Sequence, residues 1–281
     1  MTITSAEQDE IRTANESSKP VVVFVHGLWM LRSSWEPWRA LFEAAGFATV
    51  APGWPDDPET VALGRTDPTL FAGKRILDVT DHFQDVIDQL ARRPAIVGHS
   101  FGGLITQQLA GRGSAVASVA IDAAPFRGVL PLPISALRCA APVLRNPLNY
   151  RRSVSLTYEQ FRYSFVNAVP EPEARELFET FPVPGSGRPL FQAATANINP
   201  ATQARVNSKN PQRGPLLIIT GSADRTAPPA IAKATYKRQR RNTHAPTEFQ
   251  VIDGAGHSLV FDHGWPDVAS LALDFIRRHG Q

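Results

Sequence analysis

Apolar residues follow two rhythms along this chain. Residues 21–25 (Val-Val-Val-Phe-Val) form a continuous apolar, largely β-branched run, and 95–98, 116–121 and 216–220 are short, predominantly apolar runs. Such runs predict strands buried on both faces, as in a parallel sheet sandwiched between helices. Less uniformly apolar runs at 47–51 and 248–252 bring the expected strands to six. Between the strands the spacing changes. Over 76–91, Val79, Phe83, Val86, Ile87 and Leu90 recur three and four apart, which predicts an amphipathic helix. Helices are also expected at 34–45, 100–111, 230–241 and 265–279, with Trp35 and Trp38 as core residues of the first. This alternation predicts an α/β class fold, a doubly wound, mostly parallel sheet of about six strands.

The pattern breaks twice. Residues 1–19 are polar and read as a flexible lead-in with at most one loose helical turn; little β-forming material precedes Pro20. From 125 to 215 the strand rhythm disappears, and thirteen of the chain's 24 prolines fall in those 91 residues. Proline at that density breaks the backbone into short helices and turns, expected at 135–144, 157–169, 172–181 and 189–196. The expected organisation is therefore a core of 20–124 and 214–281, interrupted by a helical insertion at 125–213. The Pro- and Asp-rich stretch 52–73 reads as a loop.

Chemistry concentrates where strands end. The run 95–98 stops in Gly98-His99-Ser100-Phe101-Gly102, and a helical run follows at once. That is G-x-S-x-G between a strand and a helix, a context that raises a serine hydroxyl on a tight turn above a helix N-terminus. The chain here resembles the α/β-hydrolase family, over about 20–121 and 214–280, in its serine-nucleophile, carboxylesterase- or lipase-like branch. The resemblance implies the order Ser, acid, His along the chain. Ser100 is then the nucleophile and His257, in Asp253-Gly254-Ala255-Gly256-His257, the base. Asp224, in Gly221-Ser222-Ala223-Asp224-Arg225-Thr226, is the acid. Asp122, which ends the strand after the nucleophile's, is the alternative acid, since some members carry it there. The loop His26-Gly27-Leu28 after the first strand resembles the family's oxyanion loop. The backbone N–H groups of Leu28 and Phe101 are the implied oxyanion donors, and His26 a loop-bracing residue. The insertion at 125–213 is the implied cap, and the family's N-terminal hairpin is expected to be missing. Trp29, Trp54, His99, Leu130, Phe161 and Phe165 are candidate pocket residues; Trp54 could equally cover the sheet edge, and His99 is expected to pack under the turn.

Composition narrows the function class. A net charge of +3 is too small and too dispersed to argue for nucleic acid. The one basic cluster, 237–241, ends an expected helix, where cations suit the dipole. The single cysteine, Cys139, excludes an intrachain disulfide and reads as a packed thiol. No apolar signal region and no run of 18 apolar residues is present, so a cytoplasmic protein without stable membrane insertion is expected. These residues predict a serine hydrolase that acylates Ser100 from an ester, thioester or lactone of apolar character, with no metal or cofactor. Perhydrolase, C–C hydrolase and acyltransferase chemistry would use the same triad. A non-catalytic small-molecule-binding protein of this fold is the alternative from another class.

Overall fold

A computed structural model describes residues 3–130 and 132–280. Helix α1 (Ser5–Glu16) leads into strand β1 (Val21–Val25), then α2 (Glu36–Ala44), β2 (Ala48–Val50), α3 (Val61–Thr66) and α4 (Ile76–Asp88). Strand β3 (Ala95–His99), α5 (Phe101–Arg112) and β4 (Ser118–Ile121) follow. The insertion holds α6 (Ile134–Leu144), β5 (Ser153–Val154), α7 (Tyr158–Ser164), α8 (Glu171–Thr180), β6 (Gly185–Ser186) and α9 (Arg188–Ala194). The chain then returns to β7 (Leu216–Gly221), α10 (Pro229–Gln239), β8 (Thr247–Ile252) and α11 (Trp265–His279).

The six long strands form one sheet in the order β2-β1-β3-β4-β7-β8, with every pair parallel. All residues of β1, β3, β4 and β7 are buried, in keeping with their predominantly apolar sequences. On the outer edge, β8 is half exposed, which matches its mixed sequence Thr-Glu-Phe-Gln-Val-Ile. Register aligns the strand ends: His99 pairs with Ile121 and Ile121 with Ile219. Ser100, Asp122 and the loop after β7 therefore leave the sheet along one C-terminal edge, where open α/β sheets place their sites. Trp35, Trp38 and Phe42 pack on Phe24 of β1 at ring distances of 5.2, 6.3 and 5.4 Å, so both tryptophans are core residues.

The structure departs from the sequence reading in three places. The lead-in is an ordered helix. Thr4 caps α1 with Glu7 in a capping box, Ile11 and Ala14 are buried, and Glu10 accepts from the Ala51 N–H and pairs with Arg32 and Arg39. Its apolar residues are too few to show a stripe, and its anchors are distant ion pairs. The stretch 52–73 contains α3, capped by Thr60, and a 3₁₀ turn at Pro68–Phe71. The insertion is not wholly helical: β5 and β6 pair antiparallel across a long connection. At Gly185 a Cβ would lie 2.9 Å from the Trp29 ring, so this glycine lets the small ladder close on the loop after β1. Helix α7 also stops at Ser164, short of the expected 169.

The insertion lies across the C-terminal edge of the sheet and is tied to its loops. Thr226 Oγ1 donates to the Ser164 carbonyl (2.7 Å), and the Ser258 N–H donates to the Phe165 carbonyl (3.1 Å). Trp29 Nε1 donates to the Val154 carbonyl (2.8 Å) and the Val183 N–H to the Trp29 carbonyl (2.9 Å). Among the described residues no helix is long and apolar enough to cross a membrane.

Candidate active site

Ser100 sits between β3 and α5 with φ 57° and ψ −120°, a conformation that costs a non-glycine residue strain. Two glycines make the turn possible by close approach. A Cβ on Gly98 would lie 2.3 Å from the Gly102 carbonyl oxygen, and one on Gly102 only 2.0 Å from that of Val25. The turn is pinned to β4: the Ser100 N–H donates to the Ile121 carbonyl, and the Ala124 N–H donates to the Ser100 carbonyl, both at 2.9 Å. Strain is thus held in place by the sheet, and the hydroxyl stands clear of it.

Around that hydroxyl three side chains form a hydrogen-bonded line. Ser100 Oγ and His257 Nε2 are 3.0 Å apart, and His257 Nδ1 donates to Asp224 Oδ2 at 2.7 Å. The other oxygen of Asp224 accepts from the N–H groups of Thr226 (2.6 Å) and Ala227 (3.0 Å). His257 is fully buried, with Phe165 edge-on at 5.0 Å and His99 at 4.6 Å between ring centres. Asp122 lies behind. Its Oδ1 accepts from the Gly221 N–H (3.0 Å), while its Oδ2 is 3.9 Å from His257 Nδ1 and has no hydrogen-bond partner among the described residues. Complete burial, and then the charge of Asp224, push the Asp122 carboxyl well above the ordinary carboxylate range. Burial and that neighbouring charge both favour the neutral form of Asp122.

His99 packs under the turn and donates from Nε2 to the His257 carbonyl (2.9 Å). Burial first, and the neighbouring His257 second, hold its pKa well below the usual histidine value. It braces the loop that carries His257. His99, Asp122 and His257 bring possible metal-ligand atoms within 4.8 Å of one another. Both ring nitrogens of His257 are already engaged by Ser100 and Asp224, so this trio is not arranged to hold an ion.

The loop His26-Gly27-Leu28 abuts the serine; a Cβ on Gly27 would meet Ser100 Cβ at 2.9 Å. Leu28 and Phe101 are both buried, and among the described residues neither N–H has a hydrogen-bond acceptor. Two unpaired buried N–H groups beside one hydroxyl are uncommon unless a ligand oxygen serves them. A network unseen in the sequence fixes this loop. His26 Nδ1 donates to the Gly27 carbonyl (3.0 Å), and the Trp54 N–H is shared between His26 Nε2 (3.2 Å) and Asp57 Oδ2 (3.1 Å). The Lys74 ammonium pairs with Asp57 Oδ1, and both groups are buried. Asp57 and Lys74 carry no local signal because they meet across seventeen residues of chain.

An apolar pocket opens over Ser100. Its walls are Trp29, Phe101, Leu132, Leu137, Leu144, Leu156, Phe165, Leu190 and Ile231 with several alanines, and among the described residues no charged side chain lines it. Of the pocket residues expected from sequence, Trp29 and Phe165 line it. Phe161 is buried one layer back, stacked on Phe165 at 5.1 Å. Trp54 stacks on His26 beneath the loop and donates from Nε1 to the His26 carbonyl, away from the pocket. Leu130 is exposed and faces a separate depression beside Arg127 and Arg238. The pocket residues missed by the sequence reading, such as Leu156, Leu190 and Ile231, sit on different elements and meet only in the fold. Cys139 also lines it, and burial raises its thiol pKa, which keeps it an unreactive thiol.

Solved structures with the same fold cover nearly the whole chain. A monoacylglycerol lipase from Paleococcus ferrophilus is 20% identical with a TM-score of 0.64, covering 93% of this chain and 96% of that one. An extracellular alpha/beta-hydrolase from a Paenibacillus species is 17% identical with a TM-score of 0.66, covering 91% and 98%. A pyrethroid hydrolase from Sphingobium faniae JZ-2 is 18% identical with a TM-score of 0.61, covering 92% and 97%. No curated protein matches the chain. The family model for the alpha/beta hydrolase family matches residues 22–271. With the parallel sheet and the strained serine turn, this match establishes that the chain belongs to the alpha/beta hydrolase family.

Proposed function

We propose that this hydrolase cleaves carboxylic esters of apolar groups through an acyl-enzyme on Ser100. The observation that carries the reading is the line Ser100–His257–Asp224, with both links at hydrogen-bond distance, beneath an uncharged pocket. A serine hydroxyl is a weak nucleophile at neutral pH and needs a base within reach. His257 Nε2 takes the hydroxyl proton as Oγ attacks the ester carbonyl carbon. Asp224 holds the imidazole in the tautomer with Nδ1–H and stabilises the cation that forms. Charge develops on the carbonyl oxygen, and the N–H groups of Leu28 and Phe101 receive it. As the carbon–alkoxide bond breaks, His257 returns the proton to the leaving alcohol. Water then attacks the acyl-serine by the same route and releases the acid. One oxyanion donor typically supplies about 3 kcal/mol of transition-state stabilisation.

The pocket supports an apolar substrate. Four cationic residues of the insertion face other groups: Arg138 lies over Tyr163, Arg162 pairs with Glu171, Arg188 lies over Tyr150 and Arg127 donates to the Asn199 carbonyl. Nothing in the wall would select an anionic substrate. The insertion serves as a cap in this reading, since residues 164–167 contact both the acid loop and the histidine loop.

Hydrolysis of a p-nitrophenyl ester series by wild type and Ser100→Ala tests the proposal. Wild-type turnover that vanishes in the variant supports it. Inertness of both toward every ester and toward a fluorophosphonate label rejects an activated serine, and a non-catalytic binding role then takes its place.

A further inference from the structure

One stretch of the surface combines a one-sided charge with exposed aliphatic residues. Residues 123–158 contain five arginines and no aspartate or glutamate. The same stretch carries Leu130, Leu132, Ile134, Leu137 and Leu148, all exposed, with Ile134 at 85%. On α6 the two features share one face. Positions 134, 137, 138 and 145 are separated by three, four and eleven residues and so project together, while Cys139 and Val143 point inward. Arg138, Arg145, Arg151 and Arg152 are exposed, and none is in an ion pair among the described residues.

We propose that the outer face of α6 docks this protein on an anionic lipid surface. Aliphatic side chains flanked by cations that lie in no ion pair suit the boundary between acyl chains and anionic headgroups. Leu132 and Leu137 are shared between this face and the pocket wall, so the pocket opens into the layer that the face would enter. A second copy of the chain fits less well. A twofold contact through this face would set its arginines against each other. An acidic protein partner would satisfy the arginines but leave the exposed aliphatic residues at the pocket mouth without a role. The docking does not depend on the esterase reading, because vesicle binding is measured without turnover.

Flotation with vesicles of phosphatidylcholine alone, or with phosphatidylglycerol added, tests the proposal. Wild type should float with the anionic vesicles, weakly with neutral ones, and less as salt rises. Arg138→Glu/Arg145→Glu should lose at least twentyfold in vesicle affinity, since each cation near such a surface contributes roughly fivefold. Ile134→Glu should weaken binding independently. Both variants should keep wild-type thermal stability and wild-type hydrolysis of a short, dissolved ester. No binding to anionic vesicles, or equal binding by the variants, overturns the proposal. So does a dimer of wild type that Ile134→Glu dissociates, because the face would then be a self-association surface.

Discussion

Asp122 Oδ2 lies 3.9 Å from the same His257 Nδ1 that Asp224 Oδ2 contacts at 2.7 Å. Two carboxyls thus face one imidazole, and they differ in what satisfies them. Asp224 accepts two backbone N–H groups besides the histidine; Asp122 accepts one and leaves Oδ2 unpartnered. Hydrogen bonds to a carboxylate favour its charged form, and burial without them favours the neutral form. Asp224 is therefore the proposed working acid. Asp224→Asn should lower kcat by about 10⁴ through the wrong histidine tautomer. Asp224→Ala should retain more activity than Asp224→Asn. Removing the neighbouring charge lets Asp122 ionise, and a movement of about 1 Å brings it to hydrogen-bond distance. The double variant Asp224→Ala/Asp122→Asn should lose that residue of activity; equal kcat for the single and the double variant would sink the idea.

The same pair predicts a pH dependence of stability. The Asp122 carboxyl is held well above its ordinary value in the folded state. The folded chain then binds a proton that the unfolded chain has released, and its stability falls as pH rises above the ordinary carboxylate range. Asn has the shape of the neutral acid and does not titrate. Thermal melts of Asp122→Asn and wild type should therefore diverge, with the variant gaining relative to wild type between pH 5 and pH 9. A constant difference across that span would mean that Asp122 does not titrate abnormally.

The proposed oxyanion loop gives a prediction about positioning. Asp57 touches no part of the pocket, yet it orients the Trp54 N–H and, through it, His26 beside Gly27 and Leu28. Asp57→Ala also leaves the Lys74 ammonium buried without its partner. The expected outcome is a fall in kcat of about 10², with KM changed little, because an oxyanion donor acts in the transition state and not in ground-state binding. A change confined to KM would place Asp57 in substrate binding instead.

Much of this arrangement was legible in the chain because its signals are local. Four valines and a phenylalanine in a row read as a buried strand, and Gly98, Ser100 and Gly102 encode their turn within five positions. The order Ser100, Asp224, His257 came from the resemblance to the family, and in the fold these three side chains meet at hydrogen-bond distance. The pocket was legible only in part. Phe161 and Phe165 are four apart on one face, yet Phe165 meets His257 and Phe161 backs it, a distinction set by where α7 docks. Leu130 read as a pocket residue because it is apolar, and it is exposed because the turn at Gly128 (φ 95°) carries it outward. Helix α1 was missed because its stability comes from partners far along the chain.

That last point can be measured at Glu7. The carboxylate is buried against His82 Nε2 at 2.9 Å and closes the capping box with Thr4. Burial opposes its charge, but the hydrogen bonds from His82 and Thr4 outweigh it and hold its pKa below the usual glutamate value. A carboxyl depressed in the folded state stabilises above its ordinary pKa, and the contribution is lost as pH falls through the folded value. Glu7→Gln should lower the melting temperature at pH 7, and the gap should close as the pH is taken below 4. A gap that persists in acid would assign the loss to packing of α1 rather than to the charge.

The pocket wall makes the substrate reading quantitative. Ala193 and Ala194 line it next to Leu190, on the last turn of α9, with Leu156 and Ile231 also in the wall. Each methylene of an acyl chain buried against such residues gains about 0.8 kcal/mol, or about fourfold in kcat/KM. Wild type should therefore improve several-fold per added carbon until the chain fills the cavity. Ala193→Phe fills part of that space with a ring. It should leave acetyl ester hydrolysis close to wild type and shift the chain-length optimum to shorter esters, with octanoyl turnover reduced by at least tenfold. If all chain lengths fall together, the ring has disturbed the line Ser100–His257–Asp224 and not the wall. An unchanged profile would place the acyl chain elsewhere and give this part of the pocket to the leaving alcohol, which a matched series of alkyl acetates would then reveal.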